Sequence, residues 1–463
     1  MAGSRATSGA DLALELTGRP VRAGLEDQLR DAIRDGRLQP GTRLPSSRAL
    51  ATELGVSRNS AADALAQLVA EGWLVARHGA GTWVADRPDD VVAASPSRPE
   101  SDRPSRFDLR PGIPDLSAFP RSAWVAASRR ALAVAPDRSL GYGDPRGLRV
   151  LRDALAEYLG RARRVAVDPG RIVVCAGISH GLALVCALLR QRGATTVAVE
   201  AHGHRAHHDL IVSGGLDLAT VPVDGRGAVV DALGEAAAVL LTPAHQFPMG
   251  VVLDPARRRQ AIRWAADTGA IVVEDDYDGE FRYDRQAVGA MQSLAPDQVV
   301  YAGTVSKSLA PGLRLGWLAA PAGLLDELVE VKRIAGANNS AVDQLTLAEL
   351  IASGAYDRQI RRSRLVYRRR RDRLVEVLAK YAPAVEASGI AAGLHVLAHL
   401  PGRPEEEVIA VAARHGLVVE GLGAYTALGH EHPPALVIGY ATPPDHAYTA
   451  ALARLDAVLA EVS

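Results

Sequence analysis

With 463 residues, the chain is too long for one ordinary hydrophobic core, and two or more domains are expected. Its 48% hydrophobic and 23% charged residues are globular proportions, and zero formal net charge excludes nucleic-acid binding through a global field, so any such contact must come from a local patch. The two cysteines, Cys175 and Cys186, lie in apolar runs and cannot build a disulfide framework, while the lack of a signal peptide or membrane-length apolar run points to a cytoplasmic protein with no membrane partner.

Residues 15–85 carry the pattern of a first domain. Leu25, Leu29 and Ile33 fall on one helical stripe, which Gly36 stops. LQPGTRLPSSRAL reads as a turn in which Ser46 or Ser47 caps a second helix, marked by Leu50 and Leu54 and ended by Gly55. Ser57 caps a third helix, with Ala62, Leu65, Leu68 and Val69 inward and Gly72 closing it. WLVAR and TWV around HGAG read as a β-hairpin. Three helices and a hairpin predict a winged helix–turn–helix. The start of the third helix presents Ser57, Arg58 and Asn59, residue types that reach base edges in a major groove. Arg43, Ser46 and Arg48 are placed to grip backbone phosphates, and Arg77, His78 and Gly79 to track the minor groove. The periodicity alone fits equally a helical bundle whose arginines are solvated.

Residues 86–106 hold Pro88, Pro96, Pro99 and Pro104 among Ser, Asp and Arg, with few large apolar groups. Such a segment cannot bury enough surface to fold, and reads as a stiff linker of about 3.1 Å per residue when extended.

From 107 to 463, strand-like and helix-like segments alternate. Ile172–Cys175, Thr196–Val199, Leu218–Val221, Val239–Leu241, Ile271–Glu274, Val299–Ala302 and Leu315–Leu318 are short apolar strand candidates. The alternation predicts an α/β domain with a mainly parallel sheet, in which ligands gather beyond the strand C-termini.

Chemistry-bearing residues fall at those ends. In VYAGTVSKSLAPGLRLGW, the strand gives way to Gly303, Thr304 and Ser306, then Lys307, with Arg314 and Gly316 beyond. A lysine among hydroxyls and an arginine suits a cofactor with an aldehyde and a phosphate: the amine forms a Schiff base, and the other groups hold the phosphate. Only three of the 53 basic residues are lysines: Lys307, Lys332 and Lys380. Arginine is the default cation here, so Lys307 points to a need for the amine itself. Lys332 lies in an amphipathic helix pattern and is expected on its solvated face, and Lys380 near a helix end, where a cation suits the macrodipole. Gly177, Ile178 and Ser179 open a helix whose amides can bind phosphate. Asp275 and Tyr277 follow the IVVE strand; a carboxylate there can keep a pyridine nitrogen protonated and a phenol can bond a ring oxygen, though a metal-binding or solvated acidic turn has the same composition.

Two resemblances join these readings. GRLQPGTRLPSSRALATELGVSRNS and LVAEGWLVARHGAGTWV resemble the DNA-binding domain of GntR-type bacterial regulators. YGDPRGLRVLRDALAEYL, VCAGISHGLAL, LTPAHQFPMGVVLDPARR, VVEDDYDGEFRYDR and GTVSKSLAPGLRLGWL resemble the fold type I aminotransferase-like domain of MocR-type regulators, which fuse the two in this order. The resemblance implies pyridoxal 5′-phosphate held as an internal aldimine on Lys307, with Asp275 on the pyridine nitrogen and Tyr277 on the ring oxygen. Gly177, Ile178, Ser179, Thr304, Ser306 and Arg314 would hold the phosphate. It further implies operator DNA as partner and a head-to-tail homodimer, with Tyr142 reaching the partner's cofactor site.

Four departures stand out. Ala201-His202-Gly203-His204 replaces the family's Asp-Pro-Gly-Tyr, so His204 takes the place of the ring-stacking tyrosine. His202, His204, His207 and His208 gather no cysteine or carboxylate at a regular spacing, and no metal is expected. Phe247 stands where many aminotransferases have an asparagine, with His245 and Gln246 as candidate substitutes; His180 replaces a glutamine beside the phosphate loop. Val437 occupies the place of the arginine that clamps a substrate α-carboxylate. Losing one partner of such a pair costs about 2–5 kcal/mol, which predicts surviving imine chemistry without efficient transamination. The resulting expectation is a transcription regulator of vitamin B6 or amine and amino-acid metabolism, whose effector is the cofactor itself or an amine. An active aminotransferase with an accessory DNA-binding domain, and a regulator with a cofactor-free domain, are the alternatives.

Overall fold

The computed structural model describes residues 21–77, 80–86, 107–283, 288–336 and 338–463. His78, Gly79, residues 15–20 and nearly all of the 86–106 segment lie outside the described residues. Two units are distinguished, Met1–Asp102 and Arg103–Ser463.

In the first unit α1 (Val21–Arg34), β1 (Arg43–Leu44), α2 (Ser47–Leu54), α3 (Arg58–Ala70), β2 (Leu74–Arg77) and β3 (Gly81–Val84) surround one core built on Leu25, Leu29, Leu50, Leu65 and Leu68. The helix boundaries follow local chemistry. Ser46 and Ser57 accept hydrogen bonds from the amides of Ala49 and Ser60, and Gly55 ends α2 in the left-handed conformation. Two expectations need correction. The buried positions of α3 are Ala61, Ala64, Leu65 and Leu68: the two leucines face inward as expected, while Ala62 and Val69 are only half-buried and Ala61 and Ala64 take the inner places beside them. The supposed turn at 38–50 contains β1, which pairs with β3 to make a three-stranded sheet ordered β1-β3-β2.

The second unit begins with α4 (Arg121–Val134) and α5 (Arg149–Arg163), then β4 (Ile172–Cys175), α6 (Ile178–Gln191), β5 (Thr196–Glu200), α7 (Arg205–Ser213) and β6 (Asp217–Val221). A small ribbon, β7 (Val223–Asp224) and β8 (Gly227–Ala228), precedes β9 (Ala238–Leu241), α8 (Pro255–Thr268), β10 (Ile271–Asp276), β11 (Val299–Thr304) and β12 (Gly316–Ala319). The seven expected strands form one sheet, ordered β4-β12-β11-β10-β9-β5-β6. It is parallel except for β12, which runs antiparallel to both neighbours. Every residue of β4, β10, β11 and β12 is buried, because helices cover both faces: α6, α7 and α9 (Ala322–Ile334) on one, α5, α8 and α10 (Ala341–Ala352) on the other.

The long α11 (Ala355–Ala379) leads to a second, antiparallel sheet of β13 (Glu386–Ser388), β14 (His395–His399), β15 (Glu420–Gly421) and β16 (Ala435–Gly439), backed by α12 (Glu405–Arg414) and α13 (Asp445–Val462). The chain preceding α4 docks here: Leu109 donates to Val418 O, and Gly439 donates to Leu109 O. A Cβ at Gly439 would stand 2.5 Å from Arg110 O, so only glycine admits this approach, which carries Pro111 and Gly112 over the sheet ends.

Lys332 also needs correction. It is 1% exposed, and its amine donates to Val174 O at 2.6 Å and to Pro145 O at 2.5 Å. Its long stem carries the charge from the edge of the amphipathic stripe into the end of β4, where carbonyls accept it. Burial pushes this amine down to about 8.

Candidate functional site

A pocket opens at the C-terminal ends of β4, β5, β9, β10 and β11, and it gathers most of the predicted residues. Gly177, Ile178, Ser179, His204, Asp275, Tyr277, Thr304, Ser306, Lys307 and Arg314 all line it. Tyr142 does not; it is 95% exposed.

Lys307 lies in the turn after β11. Its amine donates to Gly112 O, on the segment that the small sheet holds in place. Burial lowers its pKa, opposed by the charges of Asp275 and Asp278, and an amine with a lowered pKa is a better nucleophile at neutral pH. Thr304 ties the turn down: its hydroxyl donates to Leu315 O at 3.1 Å and accepts from the Ser306 amide at 3.1 Å. Close chain packing shapes this corner. A Cβ at Gly303 would strike the Trp317 ring, and one at Gly316 would lie 2.8 Å from Gly177 Cα.

Gly177 opens α6 with φ 89°, and no side chain caps that helix. Its first amides therefore face the pocket free of an internal partner, with Ser179 beside them and the Arg314 guanidinium near Gly177 at the rim. His180 turns away from the pocket and accepts the Ala176 amide at 2.9 Å; burial, with Lys332 and Arg314 nearby, lowers its pKa and keeps it an acceptor.

Asp275 ends β10. It is 4% exposed, and its Oδ1 has no hydrogen-bond partner. Burial first, then the neighbouring Asp276, raises its pKa well above the carboxylate range. A buried, unpaired carboxylate oxygen is costly, and a cationic donor entering the pocket would satisfy this one. His207 Nδ1 lies 3.9 Å from the other oxygen, and burial pushes His207 down to about 3. Tyr277 presents its ring to the pocket and its hydroxyl to His245 Nδ1 at 3.1 Å; His245 in turn lies 2.8 Å from Asp278.

Of the residues that depart from the family pattern, His204 stands on the pocket wall, stacked on His207 with centroids 5.1 Å apart and 6.2 Å from Phe247. Gln246 does not reach the pocket: it spends its amide on His202 O, Phe247 O and the Met249 amide. His245 lies behind the pocket wall, against Tyr277 and His395. His202 bonds Thr426 at 3.0 Å, away from His204. Val437 is fully buried with Leu397, Leu422 and Ala435, packed by Met249 and Tyr425.

Sequence reasoning missed several wall residues, among them Glu200, Thr242, His207 and His395. Glu200 and Thr242 stand at or just after the ends of β5 and β9, a position that the strand-end rule does indicate. Glu200 accepts both the amide and hydroxyl of Thr242, and burial pushes it up to about 7. His207 follows His204 by three residues, one helical turn. His395 arrives from β14, and no local pattern announces it.

In the first unit Arg48, in the first turn of α2, and Arg58 and Asn59, which open α3, are exposed. Ser46 and Ser57 use their hydroxyls as helix caps. Arg43 is engaged within the wing: it donates to Ala80 O at 2.7 Å and lies over Trp83, which Arg77 also covers, at 5.0 Å.

Residues 22–84 match the gntR family of bacterial regulatory proteins, and residues 110–455 match aminotransferase class I and II. The HTH-type pyridoxine biosynthesis transcriptional regulator PdxR of Corynebacterium glutamicum is 36% identical over 408 residues, 87% of this chain and 88% of that protein. The chain belongs to the MocR-type HTH transcriptional regulators. The probable rhizopine catabolism regulatory protein MocR of Rhizobium meliloti is 31% identical, with 85% of each chain covered. Among solved structures, kynurenine aminotransferase of Pyrococcus horikoshii has a TM-score of 0.69 at 24% identity, covering 78% of this chain and 92% of that one, which speaks for the fold alone. No helix among the described residues is long and apolar enough to cross a membrane.

Proposed function

We propose that this regulator holds pyridoxal 5′-phosphate in the pocket on Lys307 and uses it to report an effector to the DNA-binding unit. The unpaired, buried Oδ1 of Asp275 carries this reading. A protonated ring nitrogen would satisfy it, and it lies in one pocket with a half-buried amine, a free helix N-terminus and the hydroxyls of Thr304 and Ser306. When bound, the cofactor supplies an aldehyde that condenses with primary amines. Lys307 is the resident amine, Asp275 would hold the ring nitrogen protonated, Tyr277 would meet the ring oxygen, and Arg314 with the α6 amides would hold the phosphate.

An effector amine would compete with Lys307 for that group. Since Val437 offers no carboxylate clamp, ordinary amino acids gain little there, and the cofactor itself is the favoured signal. Regulation of vitamin B6 supply follows first, in keeping with the relative named for pyridoxine biosynthesis; amine or amino-acid metabolism follows second. A ligand shifts the DNA-binding equilibrium only by its differential affinity for the two states. Arg58 and Asn59 would read bases, and Arg48 would bind phosphate. A homodimer is supported by apolar exposure: of fifteen large exposed apolar side chains among the described residues, eight lie between Ile113 and Val150. Tyr142, in that stretch, would enter the partner's pocket.

The test is a spectral titration of the purified holoprotein with candidate amines, with and without operator DNA. A visible imine band, trapped on Lys307 by borohydride and lost in Lys307→Ala, is expected. A protein that stays colourless with excess cofactor disproves the reading. Steady conversion of an amino donor and a keto acid, abolished by Lys307→Ala, would establish a working aminotransferase instead.

A further inference from the structure

The α11 helix carries nine arginines against Asp357, Asp372 and Glu376, in a chain whose formal net charge is zero. Three arginines serve the fold or lie half-buried. Arg370 is 2% exposed and donates to Ala441 O, Pro443 O and Asp115. Arg364 donates to Glu280 O, and Arg371 lies 3.7 Å from Asp372. Of the six that face outward, Arg358 donates to Ser353 O and Arg373 donates to Thr449.

The other four, Arg361, Arg362, Arg368 and Arg369, have no ion pair or hydrogen bond among the described residues. The two pairs are seven residues apart, two helical turns or about 10.5 Å, so they share one face. Leu365, 60% exposed, lies between them. Three acids lie near this face and offset it only in part: Asp357, one turn before Arg361, is paired with Arg161; Asp372, one turn after Arg368, lies 3.7 Å from Arg371; and Glu376 is two turns beyond Arg369. Exposed arginines elsewhere in this unit divide between paired ones, such as Arg149 with Asp153, Arg192 with Glu327 and Arg414 with Glu461, and scattered single ones, such as Arg129 and Arg259; α11 gathers four on one face. Four like charges on one helical face repel one another, a cost that a regularly spaced polyanion removes. Guanidinium also binds phosphate bidentately and keeps its charge at any relevant pH.

We propose that this face of α11 is a second, sequence-independent DNA contact that takes the phosphate backbone of duplex flanking the stretch read by the winged helix. The proposal rests on the first unit being a DNA reader. Covalent tethering to that unit raises the local concentration of duplex around α11, so weak phosphate contacts suffice.

The test uses the full-length holoprotein and a charge-removing variant, R361Q, R362Q, R368Q and R369Q together. Binding to a long random-sequence duplex, and to a short one with room only for the winged helix, is measured across a salt series. On the long duplex the variant's slope of log affinity against log salt should be shallower by about 3.6, since each phosphate contact contributes about 0.9. Between about 50 and 200 mM salt, the unaltered protein should then lose about 150-fold more affinity than the variant. On the short duplex the two proteins should agree. A slope change below about one on the long duplex, or an equal change on both, overturns the proposal, and the stripe then faces an acidic protein surface or solvent. Arg48→Ala with Arg58→Ala separates the two failures. If that variant binds both duplexes normally, the reader assignment falls; if it is impaired while the α11 variant is normal, only this proposal falls.

Discussion

Asp275 and Asp276 are neighbours on β10, equally buried, and they have opposite surroundings. Asp276 accepts from Arg163 at 2.6 and 2.9 Å and from the Tyr301 hydroxyl at 2.7 Å. The packing is so close that a Cβ at Gly279 would collide with its carboxylate. Asp275, on the other face of the strand, keeps an unpartnered oxygen at the pocket. Strand alternation separates the two roles by one residue. One buried carboxylate is fully satisfied within the fold, while the next keeps an oxygen that a bound cationic donor would satisfy, which is the contrast behind the proposed cofactor site.

The largest expected effect breaks the satisfied side. Asp276→Asn leaves Arg163 buried without its counter-charge and should destabilise the apoprotein by about 3–5 kcal/mol in denaturant titrations. A loss below about 1 kcal/mol would remove the contrast. Asp275→Asn should do the reverse: the apoprotein is at least as stable, while cofactor affinity, read by absorbance titration, falls by about 2–5 kcal/mol. Unchanged affinity would deny Asp275 its assigned partner.

Glu200 sharpens the comparison through pH. Its folded pKa, near 7, lies above its unfolded value, so the folded state holds the proton more tightly. The stability it contributes is present below about pH 4.5 and is lost as pH rises through 7, up to about 3 kcal/mol. Glu200→Gln should remove that part of the pH slope; Glu274 and Glu280, also raised to about 7 by burial, keep the rest. An unaltered slope would mean that Glu200 stays ionised. The smallest effect lies at the exposed end of α3. Arg58→Ala should weaken operator binding by about 1–3 kcal/mol in a gel-shift series while moving unfolding stability by less than about 0.5 kcal/mol. Equal operator affinity would displace the recognition helix from its assigned place.

Whatever depends on a few consecutive residues is legible in the sequence. The serine caps at Ser46 and Ser57, the glycine stop at Gly55, seven apolar strands and the polar residues just beyond them all follow from periodicity and turn chemistry. Lys307, Asp275, Tyr277 and Gly177 can be picked out because a strand end delivers its next residues to one edge of the sheet. What depends on distant partners cannot be read in this way. Nothing around Lys332 indicates that carbonyls of Val174 and Pro145 await its amine. Nothing around Arg43 tells of Ala80 and Trp83, or around His395 of a place on the pocket wall. The reversed direction of β12 and the approach of Gly112 to Lys307 belong to the same class. Local sequence specifies which face a residue occupies, but the group it meets there is set by chain segments tens to hundreds of residues away, and only packing brings them together.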